Sequence, residues 1–181
     1  MSDDFLKMHN ELTHLILNSE SISGNSVFEI LKKYSSTISV FDMMAFASHI
    51  AEENKYVHEN FRKDSEKSYI ESFLIRTRDI SKDTSDYSKN IDKESLSDAL
   101  ATLKSNYETE TSDAKNLLIF QIASLYSTFL LEQPIHLVGT LFPGSLKLVE
   151  KNGKFYCPVR DANIDTPNAV CNLCLAEQLE F

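Results

Sequence analysis

The chain has 181 residues, of which 42% are hydrophobic, and a formal net charge of −9. This length fits a single domain and is enough to bury a core without a metal or disulfides. The acidic balance holds on both sides of residue 133, whereas a nucleic-acid-binding protein is expected to carry a basic surplus on at least one face. Nucleic acid and anionic membranes are therefore disfavoured as partners.

The N-terminal residues, the apolar runs and the cysteines indicate the cellular compartment of the protein. Met1 to Phe5 is acidic and has no apolar core of signal-peptide length. No run approaches the roughly 20 apolar residues of a membrane span. Three cysteines in such a chain indicate free thiols or metal ligands rather than a disulfide framework. We expect a cytoplasmic protein.

Apolar residues recur at helical spacing through the first three quarters of the chain. A first helix carries a stripe from Phe5 to Ile16, with Ser2 as its candidate N-cap, and a second helix is predicted over 26–34. The third helix is unusually apolar, so we expect it to lie at the centre of a bundle. Its predicted buried stripe contains Phe41, Met44, Ala47, Ile50 and Ala51, and Met43 and Met44 are interpreted as core-filling residues.

Three further helices complete this bundle. The fourth begins near Tyr56 and is followed by 81–95, a stretch rich in Ser, Asp and Lys that predicts an exposed loop. The fifth begins near Leu96, and a break at 109–112 precedes the sixth, which Pro134 ends. The apolar run within that sixth helix is interrupted by Gln121, Ser124 and Ser127 and predicts a buried core helix. Residues 1–132 are thus predicted to form a bundle of about six helices.

The composition changes beyond Pro134, where all four prolines and three of the four glycines lie. Alternating residues over 146–150, the turn dipeptide Asn152-Gly153 and the return over 154–158 predict a small β-hairpin.

A last helix is predicted from Thr166 to about Glu180, because Thr166 supplies an N-cap and Pro167 a first-turn proline. The predicted fold class is all-α, or nearly so. One domain spans 1–181, in which the segment 133–181, with its hairpin and its cysteine-bearing helix, packs on the bundle.

The C-terminal runs His136 to Gly144, Phe155 to Val159 and Pro167 to Gln178 resemble the archaeal DUF2115 family, a domain of unknown function. The resemblance is concentrated in about the last quarter of the chain. Because the family has no established activity, substrate or catalytic residues, it implies a relationship and no mechanism.

Four residues of this segment match the ligand types that zinc prefers, and they are His136, Cys157, Cys171 and Cys174. The spacing Cys171-x-x-Cys174 puts both sulfurs on one face of the predicted last helix, whose start would lower the pKa of the thiols. Arg160 occupies the position where the second cysteine of a metal knuckle would stand. The sequence therefore predicts a metal site, with zinc as the metal. It departs from the usual pattern of two paired-cysteine knuckles because Cys157 has no second cysteine beside it.

Two other interpretations of the cysteines remain open. They can be small buried apolar residues, or Cys171 and Cys174 can form a redox pair or a disulfide. A nucleophilic cysteine is disfavoured, since no second histidine lies near in sequence to act as a base.

Two weaker motifs have simpler explanations. The loop 139–145 could bind an anion through its backbone amides, but a tight turn that positions His136 is the better interpretation. Glu11-x-x-His14 has the spacing of a di-iron site, which would need a second copy of the motif and two further glutamates. Only His49-x-x-Glu52, in the reverse order, is available as a partner.

These patterns support two hypotheses of function. The first is a non-catalytic, metal-stabilised protein whose C-terminal segment presents a surface to a protein partner. The alternative is a metal- or thiol-dependent enzyme, in which a three-cysteine site leaves its fourth position open and His136 acts as an acid or base.

Overall fold

The computed structural model describes residues 3–109, 113–164 and 169–180. Its helices are α1 (Asp4–Asn18), α2 (Gly24–Ser35), α3 (Val40–Glu53), α4 (Glu59–Lys82), α5 (Lys93–Thr109), α6 (Ala114–Leu125) and the single turn α7 (Arg160–Asn163). Its strands are β1 (Ile22–Ser23), β2 (Asn90–Ile91), β3 (Leu141–Phe142), β4 (Leu146–Lys147), β5 (Val149–Lys151), β6 (Lys154–Cys157) and β7 (Glu177–Gln178). The fold is mainly helical with small sheets, which confirms the predicted class at that level.

Side-chain caps define where the first helices begin. The Asp3 carboxylate accepts a hydrogen bond from the Leu6 amide at 3.1 Å at the start of α1, whereas the predicted cap Ser2 lies outside the described residues. Ser39 and Asp42 form a reciprocal capping box at the start of α3. These local polar contacts satisfy backbone donors that the first helical turn leaves unpaired.

Helix α6 lies at the centre of the bundle. It contacts α1, α2, α3, α4 and α5, and nine of its twelve residues are buried. Gln121, Ser124 and Ser127 have no solvent exposure, so the prediction of a buried core helix is confirmed. The sixth helical stretch then widens into a π-helical turn at Tyr126–Leu130, where the Leu131 amide donates to the Tyr126 carbonyl at 3.0 Å. This turn ends the stretch before Pro134.

The prediction that α3 is central is wrong. Phe41 is 82% exposed and Met44 is 62% exposed. The helix is anchored through Ile50, which belongs to the predicted stripe, and through Phe46, which does not, and both are buried. Because a helix turns by about 100° per residue, Phe41 lies about 140° around the axis from Phe46. The segment is apolar on more than one face, and tertiary contacts with α4 and α6 select which face is buried.

The predicted loop 81–95 is partly structured. Helix α4 continues to Lys82 and α5 begins at Lys93. Between them, β2 pairs antiparallel with β1, and Ile91 lies opposite Ile22. Of the predicted break at 109–112, residues 110–112 lie outside the described ranges.

The predicted hairpin is present, since β5 pairs antiparallel with β6 across Asn152 and Gly153. These two residues have φ values of 54° and 76°, the left-handed conformations that a two-residue hairpin turn requires.

The predicted last helix is wrong over 169–180, and residues 165–168 lie outside the described part of the chain. A 3₁₀ turn at Val170–Asn172 is followed by β7, which pairs in parallel with β6. The Leu179 amide donates to the Cys157 carbonyl at 2.9 Å. Long-range strand pairing overrides the local helix signal here.

Within the described residues, no helix has both the length and the apolar character needed to cross a bilayer.

Candidate functional site

The four predicted metal ligands line one small cavity, whose lining residues all belong to the C-terminal segment. The cavity has a volume of about 20 Å³, which is room for about one water molecule. Its walls contain His136, Cys157, Cys171, Cys174, Ile135, Phe142, Val159, Arg160, Val170 and Ala176.

Three parts of the chain bring the thiols together. Cys157 is the last residue of β6 and is buried. Cys171 is the middle residue of the 3₁₀ turn Val170–Asn172, and Cys174 follows two residues after the turn. The Cys174 amide donates a hydrogen bond to the Cys171 carbonyl at 3.2 Å. The parallel pairing of β6 with β7 then holds this turn beside Cys157. All three cysteines are free thiols.

The imidazole of His136 lies in an aromatic enclosure. Its ring centroid is 4.8 Å from that of Tyr69, 5.5 Å from that of Phe73 and 5.6 Å from that of Phe142. The side chain is 7% exposed. Its buried Nε2 atom has no hydrogen-bond partner among the described residues. Burial lowers the pKa of His136 to about 4, so the ring is neutral at pH 7, which is the form that binds metals.

Helix α4 fixes the backbone next to His136. The fully buried Ser72 hydroxyl accepts a hydrogen bond from the Leu137 amide at 3.2 Å and lies 3.0 Å from the Thr140 hydroxyl. The Gly139 amide donates to the Leu148 carbonyl at 2.8 Å, so it is already used within the turn. These contacts favour the interpretation of 139–145 as a turn that positions His136.

The expectation that a helix start lowers the pKa of the cysteine thiols is wrong. Burial raises the pKa of Cys157, and burial together with the neighbouring thiols raises the pKa of Cys171 to about 11. Cys171 lies in a three-residue 3₁₀ turn, which is too short to lower the pKa of a thiol through a helix dipole. Cys157 and Cys171 are therefore protonated at neutral pH and are weak nucleophiles.

Arg160, which occupies the position of the second cysteine in a metal knuckle, lines the wall of the cavity. Its Nε atom is buried and has no hydrogen-bond partner among the described residues, and its charge lowers the pKa of Cys157 and Cys171 against the larger effect of burial. A cation at this position favours the thiolate form that a metal requires.

The thiols and the imidazole are not yet arranged as a coordination sphere. Within 3–109, 113–164 and 169–180, no group of three or more His, Cys, Asp or Glu side chains is placed so that it could hold a metal ion. Metal binding would therefore require these side chains to rotate towards a common centre.

The residues of the di-iron motif have other partners. Glu11 accepts hydrogen bonds from Lys33 at 2.6 Å and from the Tyr34 hydroxyl at 2.7 Å. His49 lies 3.4 Å from Glu53, and Glu52 is paired with Lys55. These contacts give the residues of the motif structural roles within the bundle.

A partly buried polar cluster around Asp83 was not anticipated from the sequence. The Asp83 carboxylate accepts hydrogen bonds from the hydroxyls of Tyr87 and Tyr126, the latter at 2.6 Å, and from the Ser85 amide at 2.8 Å. Asp83 lies in the stretch predicted to be an exposed loop, and no sequence signal distinguishes it there. The cluster fastens that loop to the π-helical turn.

Comparisons with known proteins identify a family for this chain. Residues 23–179 match the family model described as an uncharacterised protein conserved in archaea, DUF2115. A UPF0305 protein of Methanothermobacter thermautotrophicus is 30% identical over 154 residues, which cover 84% of this chain and 94% of the relative. A UPF0305 protein of Methanocaldococcus jannaschii is 26% identical over 166 residues, which cover 88% and 98% of the two chains. No solved structure matches the chain significantly.

Proposed function

The chain belongs to the DUF2115 family of uncharacterised archaeal proteins, and we propose that it is a non-catalytic protein with a structural metal site. In this proposal His136, Cys157, Cys171 and Cys174 bind one ion, with zinc as the metal, and hold the C-terminal segment together where it packs on the bundle. The segment then presents a surface to a protein partner. The observation that carries the proposal is that all four side chains line one cavity of about 20 Å³.

The donor set and the cavity suit a transition metal. Three thiols and one imidazole match the tetrahedral sites of structural zinc. The buried Nε2 atom of His136, which has no hydrogen-bond partner among the described residues, gains a partner when it binds an ion. The nearby Arg160 guanidinium would offset part of the negative charge that three thiolates bring.

A structural role also follows from where the ligands lie. His136 packs on Tyr69 and Phe73 of α4, whereas the thiols belong to β6 and to the turn at 171–174. One ion would therefore join three separate pieces of the C-terminal segment at the point where His136 packs on the bundle. In such sites the free energy of metal binding is in effect free energy of folding.

The alternative enzyme needs space for a substrate beside the metal. Small-molecule sites are typically about 300–1,000 Å³, and this cavity holds about one water molecule. His136 is buried, and its pKa of about 4 makes it a poor proton donor at neutral pH. The enclosure therefore favours a closed structural site over an open catalytic one.

The proposal is tested by elemental analysis of protein purified under reducing, chelator-free conditions. We expect about one equivalent of zinc, as one four-ligand site requires, and loss of the metal in the Cys171→Ser/Cys174→Ser and His136→Ala variants. His14→Ala is the matched control, because His14 is exposed on α1 and should leave the metal content unchanged.

Two outcomes would overturn parts of this assignment. Wild-type protein with intact thiols and well under one equivalent of any transition metal would leave the cysteines as buried apolar residues or a redox pair. Full metal retention by His136→Ala would remove His136 from the ligands. The structural role is checked by hydrogen exchange, since chelation should expose the Leu179 amide that β6 protects.

A further inference from the structure

A large groove lies beside residues 172–175 of the C-terminal segment, and His136 does not line it. It has a volume of about 1100 Å³ and is bounded by α5, the 86–92 stretch, the π-helical turn and residues 172–175. Cys174 lines both this groove and the thiol cavity. The wall of the groove is therefore the piece of chain that the proposed metal site would hold.

The floor of the groove is apolar. Ile91, Ala99 and Leu130 are buried members of the bundle core and line it. Leu175 lies at its edge and is 45% exposed. An apolar floor with an exposed leucine at the rim suits the apolar face of an amphipathic segment.

The rim of the groove is acidic. Asp86, Asp92 and Asp98 are exposed and line it. Their hydrogen bonds are to neutral donors, from the Asn25 side chain to Asp86 and from the Ser95 amide to Asp92. Among the described residues no cation forms an ion pair with these three carboxylates. The lysine of the rim, Lys89, is paired with Glu132.

The wall opposite α5 has the local geometry that accompanies functional surfaces. It is built by the π-helical turn, a rare conformation that occurs often at functional sites. Glu132 follows with a φ of 51°, in the left-handed region that is costly for residues other than glycine. The Thr128 hydroxyl donates to the Leu173 carbonyl at 3.1 Å, which joins this wall to the C-terminal segment.

We propose that this groove binds an amphipathic segment, rich in lysine or arginine, from a protein partner. The apolar floor would receive its apolar side chains, and Asp86, Asp92 and Asp98 would receive its cations. The groove slightly exceeds the usual volume of a small-molecule site. A second copy of this chain fits poorly, because its net charge of −9 would face the acidic rim.

This inference deepens the proposed function, since it names the surface and the chemistry of the partner. The inference rests on the proposed function at one point only: the metal would order residues 172–175, which form one wall of the groove. The carboxylates of the rim and the apolar floor belong to the bundle side, so the two ideas can fail separately.

The test uses the full chain and a labelled amphipathic peptide of leucine and lysine, with fluorescence anisotropy as the readout. We expect saturable binding that weakens with salt, and a loss of about tenfold in affinity for Asp98→Lys, because like charges meet at the rim. Asp64→Lys is the matched control, since Asp64 is an equally exposed acid on α4 that does not line the groove. It should keep the parent affinity.

The location of binding is read from backbone amide NMR shifts, which should change at Ile91, Ala99 and Leu175. Equal affinity for the peptide with glutamate in place of lysine, equal losses in the two Asp→Lys variants, or shifts confined to α3 would overturn the proposal. So would a dimer that Leu175→Ser dissociates, because the occupant would then be a second copy.

Metal content is measured on the same samples. Groove binding by protein that contains no metal would support the groove and end the metal proposal. Metal-loaded protein that does not bind the peptide would end the groove proposal alone.

Discussion

The bundle and the C-terminal segment are held together by different means. The core of the bundle extends from Phe5 in α1 to Ile135 beyond the π-helical turn and includes residues of all six long helices. The C-terminal segment has a separate core of four buried residues, which are Phe142, Leu148, Cys157 and Ala176. Cys174 packs against both cores. Apolar burial therefore accounts for the bundle, whereas the segment depends more on backbone pairing and on its contacts through His136 and Cys174.

The largest expected effect separates the two cores directly. Leu118 and Leu148 are both fully buried, one in each core. We expect Leu118→Ala to lower the free energy of unfolding of the bundle by about 2–5 kcal/mol, measured by urea denaturation with circular dichroism. Leu148→Ala should instead accelerate hydrogen exchange in β5 and β6, with a smaller shift of the helical midpoint.

Equal midpoint shifts in these two variants, with uniform exchange across the chain, would mean that the cores unfold as one unit. The distinction between bundle and segment would then be dropped.

The next effect concerns the joint between the two regions, where His136 is buried. Burial holds the pKa of His136 at about 4, below the ordinary 6.5. Between these pH values the imidazole is therefore protonated in the unfolded chain and neutral in the native chain. In metal-free protein this contribution to stability is present above pH 6.5 and is lost as the pH falls towards 4, by up to about 3 kcal/mol. A His136→Phe variant keeps an aromatic ring in the enclosure and should lack this dependence.

The measurement is the difference between the two proteins in the free energy of unfolding across that pH range, which removes the contribution of the carboxylates common to both. If the free energy of unfolding changed with pH in the same way in both proteins, His136 would be solvated in the native state, and water would reach the contact between the bundle and the C-terminal segment.

Local patterns were sufficient to predict much of the architecture. The apolar stripe of α1 and the buried character of α6 follow from helical periodicity, and Asn152-Gly153 fixes the hairpin because both residues must adopt left-handed conformations. The four cavity residues could be grouped from residue type alone, since thiols and imidazoles are rare in this chain. Their arrangement could not, because it depends on the parallel pairing of β6 with β7.

The errors share a physical origin in long-range contacts. Local signals favoured a helix at the end of the chain, but the hydrogen bond from Leu179 to Cys157 belongs to a strand pairing across the segment. The stretch 81–95 is polar in sequence, yet the carboxylate of Asp83 accepts hydrogen bonds from Tyr87 in the same stretch and from Tyr126 of the π-helical turn. The spacing of apolar residues along the chain does not predict which residues distant in sequence form hydrogen bonds of this kind.

The smallest expected effect is that of Phe41→Ala, and its comparison with Phe46→Ala tests which face of α3 belongs to the bundle core. Phe41 and Phe46 are phenylalanines on one helix, but Phe41 is 82% exposed and Phe46 is fully buried. We expect Phe41→Ala to change the free energy of unfolding by no more than about 0.5 kcal/mol, as surface substitutions usually do. Phe46→Ala, which removes a ring packed 5.0 Å from that of Phe120, should cost about 3–5 kcal/mol. Comparable losses in the two variants, measured by urea denaturation, would place α3 at the centre after all. The bundle core would then have to include the face of α3 that carries Phe41, which is exposed in the structure.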